Sequence, residues 1–166
     1  GGRAWRCISG YGHAPEHMAL FCAELTTLIS GDMVLPRIST NVSVHASEPE
    51  ANPLQLFLDS LLRYLDLPEN TLVLPSHGKP FTGLARRIAQ LQDHHRERLE
   101  EILLAARDHA LSAADTLPIL FKRQLDTHQM TFAMGEALAH LHYLWMEGKL
   151  ERFLDPGSVQ RFRTAS

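Results

Sequence analysis

A chain of 166 residues is long enough for one ordinary domain, or for one and a half small ones. Hydrophobic residues make up 45% and charged residues 21%, the composition of a soluble globular protein; no apolar run nears the roughly 20 residues needed to cross a bilayer. Residues 1–79 carry 5 Lys+Arg against 8 Asp+Glu and residues 80–166 carry 11 of each, so neither part has the clustered basic excess of a nucleic-acid binder.

The start, Gly1-Gly2-Arg3-Ala4-Trp5, has neither an initiator Met nor the charged and apolar regions of a signal peptide. It reads as an expression scar or a cut in a longer chain. Trp5–Ser9, Met18–Cys22 and Thr26–Ser30 then read as short strands. Cys7 and Cys22 are too few for a disulfide framework, and their apolar neighbours suggest buried, reduced thiols in a cytoplasmic protein. Ile38 to Ala51 lacks periodicity and is expected to be a loop, placed where it could border a substrate pocket. Asn52-Pro53 opens a helix with a cap and a proline at its first position, and Leu54, Phe57, Leu58, Leu61, Leu62 and Leu65 fall on one face. Thr71–Leu74 is a short strand ending at Pro75. Strands alternating with a helix give an α/β class.

From Thr82 the pattern changes to long amphipathic helices. Thr82 is expected to cap a helix lined by Leu84, Ile88, Leu91, His95, Leu99, Ile102 and Leu103. A break at Ser112–Asp115 leads to a short helix over Leu117–Leu125. Thr127 is then expected to cap a third helix running to about Glu147, with Met130, Phe132, Met134, Leu138, Leu141 and Trp145 as core. The end, Leu150–Leu154 and Val159–Arg163 around Pro156-Gly157, reads as a hairpin. Three helices and a hairpin are the order of a winged-helix domain, so the expected domains are 1–81 and 82–166.

Three candidate site residues each sit in a loop after an apolar strand. His13 lies in Gly10-Tyr11-Gly12-His13-Ala14-Pro15-Glu16-His17, Asp32 follows Ile29-Ser30-Gly31, and His77 lies in Pro75-Ser76-His77-Gly78. Strand-end loops can aim side chains into one pocket, and imidazole with carboxylate is the donor set of a catalytic zinc site. The flanking glycines permit tight turns. His17 could steady the His13 loop or simply pack at the strand end. His94, His95, His109, His128, His140 and His142 lie on or beside helices with no second ligand at zinc spacing, and His95 reads as a core histidine.

In this order, Gly-His-x-Pro-x-His, Gly-Asp and Pro-Ser-His-Gly resemble the later metal motifs of the metallo-β-lactamase superfamily. Asn52-Pro53-Leu54, Arg87-Ile88, His94-His95, Gly135–Leu141 and Glu147-Gly148 resemble the branch of that family with a C-terminal winged-helix extension. The resemblance implies the second half of an αββα sandwich followed by a winged-helix-like subdomain. It also implies a hydrolase in which two zinc ions activate water against an ester, thioester or similar small-molecule substrate. His13 would serve one metal and His77 the other, with Asp32 bridging them as the catalytic carboxylate.

The family's first metal motif, His-x-His-x-Asp-His, occurs nowhere in the sequence. With one His per metal and a shared Asp, the chain alone is expected to be inactive and to hold metal weakly. Strands bearing Ile8, Leu20, Leu28 and Leu72 are expected to expose an apolar face, which a second copy or the missing N-terminal half would cover. The alternative is a non-enzymatic winged-helix module for dimerisation or nucleic-acid binding. The third helix has no Lys or Arg, which argues against nucleic acid.

Overall fold

A computed structural model describes residues 2–165. It is mixed α/β. Strands β1 (Arg6–Gly10), β2 (His17–Cys22) and β3 (Thr27–Gly31) are joined by tight connections, so they pair antiparallel as neighbours. The longer connection through helix α1 (Pro53–Leu62) brings β4 (Leu72–Pro75) parallel to β3. The sheet order is β1-β2-β3-β4. Helices α2 (Leu84–Ala105), α3 (Ala113–Leu120) and α4 (Thr127–Met146) follow, then the hairpin β5 (Leu150–Leu154) and β6 (Gln160–Thr164).

Period-two alternation gives the sheet two different faces. Phe21, Leu28 and Val73 form one row across the strands and are buried, as are Ile8 and Ala19 on the same side. The opposite row is Cys7, Leu20, Ile29 and Leu74, with Met18 and Leu72 on the same side. Met18, Ile29 and Leu72 are exposed, as is Cys7. This corrects two expectations. Ile8 and Leu28 belong to the covered face, leaving Leu20 and Leu72 of the four on the open one. Cys7 is a surface thiol on that open side, while Cys22, on the same side by register, is buried at the end of β2.

The described residues form two compact units. One comprises the residues up to Asn41 with Gln55–Asp93; the other comprises Val42–Leu54 with the residues from His94 onward. In the first, α1 is tied to the end of β1: Tyr11 N–H donates to Ser60 Oγ, and Arg63 donates to the Ser9 carbonyl and hydroxyl. Helix α1 stops at Leu62, so Leu62 and Leu65 are exposed, and Tyr64 and Leu67 fill the interior instead.

In the second unit the helices start where capping chemistry permits. Ser112 caps α3 through a reciprocal box with Asp115, which starts that helix at Ala113, four residues ahead of the expected Leu117. Asp126 caps α4 in the same way with Gln129, displacing Thr127 from that role. Helix α2 begins in the first unit, at Leu84, two residues past Thr82, and continues into the second from His94. Its expected stripe is otherwise observed: Leu84, Ile88, Leu91, His95, Leu99 and Ile102 are all buried. The buried positions of α4 are mostly small (Ala133, Gly135, Ala137, Ala139), while Met130 and Phe132 on its first turns are exposed. Small side chains let other backbone approach closely: Val44 N–H donates to the Gly135 carbonyl, and a Cβ at Gly135 would lie 2.7 Å from Ser43 Cβ. The hairpin gains a third partner at Leu111, whose backbone exchanges both hydrogen bonds with Phe162.

Candidate active site

The three candidate residues converge because their strands end at one edge of the sheet. Gly10 is opposite His17, where β1 passes into β2, and Gly31 is paired with Pro75 at the ends of β3 and β4. His13, Asp32 and His77 therefore share one locality. Asp32 lies between the two rings, with Oδ2 3.7 Å from His13 Nε2 and Oδ1 3.5 Å from His77 Nε2. One carboxylate oxygen thus faces each imidazole.

The orientation of these groups is fixed by backbone contacts the sequence did not announce. His13 Nδ1 lies 2.9 Å from the Asn41 carbonyl, a contact that requires the proton on Nδ1 and leaves Nε2 bare in the neutral ring. That bare nitrogen looks toward a carboxylate oxygen. Two acceptors thus face one another. The Ser76 hydroxyl donates to Asp32 Oδ1, and the Thr40 hydroxyl donates to the Asp32 carbonyl. Ser76 lay within the Pro-Ser-His-Gly motif without an assigned role; Thr40 and Asn41 lay in the loop that has no periodicity to read.

His17 is a supporting residue. Gly31 has φ +55°, and its missing Cβ leaves room for the His17 ring, which lies against that position. The imidazole therefore packs under the turn carrying Asp32. Burial pushes the His17 pKa below its ordinary value; the nearby His13 acts in the same direction, and Asp32 opposes them.

Among the described residues, no group of three or more His, Cys, Asp or Glu side chains is placed to hold one metal ion. The three side chains form two pairs that share Asp32, each with one imidazole and one carboxylate oxygen. A catalytic zinc takes three protein ligands and a water. The set therefore fits part of a two-metal site and falls short of a complete one.

Beside His77 lies a cavity of about 610 Å³ lined by Pro36, Arg37, Ile38, Lys79, Pro80 and Phe81 as well as His77 and Gly78. In the second unit a cavity of about 440 Å³ lies between the 43–50 loop and α4. The aperiodic loop thus contributes Ile38 to one cavity and Ser43 to Pro49 to the other.

Three histidines of the second unit, His95, His140 and His142, are buried, while His45, His94, His109 and His128 are exposed. The Nδ1–H of His140 donates to the Glu136 carbonyl, and its Nε2 lies 3.2 Å from His95 Nδ1. Burial lowers the His95 pKa to about 3 and that of His140 to about 4, so both rings are neutral at ordinary pH. His142 Nδ1–H donates to the Ala51 carbonyl, and burial lowers its pKa as well.

Residues 99–165 match the family model described as the metallo-beta-lactamase-like, C-terminal domain. The chain is 26% identical over 163 residues to the probable metallo-hydrolase YqjP of Bacillus subtilis, covering 96% of this chain and 50% of that protein. A beta-lactamase domain protein from Burkholderia ambifaria superimposes with a TM-score of 0.97 at 58% identity, covering 99% of this chain and 49% of that one. A metallo-beta-lactamase family protein from Thermus thermophilus superimposes with a TM-score of 0.83 at 36% identity, covering 98% and 50%. These matches make the chain similar, over nearly its whole length, to a C-terminal portion of metallo-β-lactamase superfamily proteins. It spans about half the length of these relatives.

Proposed function

We propose that this chain supplies half of the metal site of a metal-dependent hydrolase, with His13, Asp32 and His77 as ligands and Asp32 shared between two ions. The observation that carries the reading is the Asp32 carboxylate held between two imidazoles, one of which is fixed by Asn41 with its bare nitrogen toward it. Zinc suits this imidazole and carboxylate donor set and, when bound, supplies an activated water for hydrolysis. The remaining ligands come from residues outside this sequence, which also cover the open sheet face carrying Met18, Ile29 and Leu72; a second copy of the chain is the other candidate for that face. The substrate is a small molecule with an ester, thioester or similar bond, and the protein works in the reducing cytoplasm.

Residues from 82 onward act in this reading as a winged-helix-like module. Its support is the helix order and the single bridge that pairs Leu111 with Phe162 beside the β5–β6 hairpin. Helix α4 has no Lys or Arg, so its chemistry suits packing better than phosphate contact.

Asp32→Asn in the full-length protein tests the central assignment. Bound zinc per chain should fall along with hydrolysis of activated esters. Full metal content with unchanged turnover would contradict the assignment.

A further inference from the structure

The cavity beside His77 has walls of unusual composition for a surface this close to a carboxylate. Pro36, Ile38, Pro80 and Phe81 make it apolar, yet Arg37 and Lys79 both line it and no acidic side chain does. No ion pair joins either cation to a carboxylate among the described residues. Both side chains are exposed, so neither is committed to holding the fold together.

The walls are nevertheless firmly set. Gly78 has φ +86°, and a Cβ there would stand 2.7 Å from Pro36 Cγ, so the His77 loop presses directly on the 36–38 segment. Arg87 holds that segment from its other side, donating through Nε to the Leu35 carbonyl at 2.7 Å and through a terminal nitrogen to the Ile38 carbonyl at 2.9 Å. Phe81 is pinned by two backbone hydrogen bonds to Val73 of β4, which close the 74–80 loop. The volume, about 610 Å³, matches that of small-ligand sites.

We infer that this cavity is the specificity pocket, and that it selects substrates whose apolar segment carries an anionic group, a carboxylate or a phosphate, placed to meet Arg37 and Lys79. The apolar segment lies along Ile38 and Phe81, and the anion meets the two unpaired cations. The scissile bond then falls on the side of His77 and Asp32. This inference rests on the proposed hydrolase reading, which it refines by naming what the pocket recognises.

The test uses the full-length, metal-loaded protein with 4-nitrophenyl hexanoate and two matched esters ending in a carboxylate or a phosphate. At low salt, kcat/KM should favour an anionic ester over the neutral one by about tenfold, since each exposed charge pair contributes a factor of roughly 2–5. The double variant Arg37→Gln/Lys79→Gln should bring the ratio near one, and added salt should shrink it in the unaltered protein. The carboxylate and phosphate arms show which anion is preferred. Hydrolysis with a ratio near one, unmoved by the double variant, overturns the pocket assignment and leaves the hydrolase reading standing. Binding of adipate, followed by NMR titration, separates the remaining cases. No hydrolysis but adipate binding that the double variant weakens overturns the hydrolase reading and supports the pocket. Neither hydrolysis nor binding overturns both.

Discussion

Two groups of histidines, one in each unit, are set in opposite ways. In the first, His13 and His77 stand at a sheet edge, half-buried and exposed, with nitrogens turned to a shared carboxylate. In the second, His95, His140 and His142 are each at most 1% exposed, and His140 and His142 spend a nitrogen on a backbone carbonyl. His13 also donates to a carbonyl, so that feature alone does not mark a ligand. What separates the groups is the environment of the second nitrogen: a carboxylate at the site, another neutral ring in the His95–His140 pair. The first arrangement sets imidazoles beside a charged group; burial keeps the second neutral.

That contrast predicts a strong pH effect led by the buried pair, to which the lowered His142 and His17 add in the same direction. Because the folded-state values of His95 and His140 lie at about 3 and about 4, below the ordinary 6.5, their contribution is intact above pH 6.5 and is lost as pH falls through 6.5 toward 3. Other charges around them, His94 and Arg98, disfavour protonation further. Chemical denaturation followed by helical circular dichroism should show a loss of roughly 2–4 kcal/mol between pH 7 and pH 5. A flat profile over that range would mean that the rings reach water.

The two faces of the sheet offer a second comparison. Leu28→Ala, at a fully buried position of the covered face, should cost about 2–5 kcal/mol by denaturant unfolding. Leu72→Lys on the open face should change stability by less than about 1 kcal/mol. By light scattering it should nevertheless reduce association of this chain, since the lysine interrupts the apolar surface. Association unchanged by that lysine would show that the open face is not the one being covered.

A smaller effect is expected in α4. Gly135→Ala gains about 1 kcal/mol of helix propensity but forces Ser43 away, an overpacking cost of about 1–3 kcal/mol. The net result should be destabilisation near 1 kcal/mol by thermal unfolding; a stabilised variant would mean that the 43–44 segment yields freely.

Much of this fold was legible because the sheet and α2 announce themselves by apolar period. The strands at Arg6, His17, Thr27 and Leu72 and the buried stripe from Leu84 to Ile102 follow directly from that pattern. Helix starts were less legible: the expected starts were Leu117 for α3 and a Thr127 cap for α4. Ser112 and Asp126 prevailed because Asp115 and Gln129 stand three residues on and complete reciprocal boxes. The face assignments of Ile8 and Leu28 depend on register, which pairing fixes and single-strand pattern does not. At the site, His13, Asp32 and His77 were legible as residue types after strands. Their supports, Asn41, Thr40 and the Gly78–Pro36 contact, depend on backbone approaches across distant stretches of chain, for which a one-dimensional pattern carries no signal.

The most direct test of the half-site account is a zinc titration of this chain by isothermal calorimetry. Two imidazoles and one carboxylate divided between two ions should bind zinc more weakly than micromolar, and His77→Ala should weaken it further. Sub-micromolar binding that His77→Ala abolishes would show that the chain holds a complete metal centre by itself, contradicting the account.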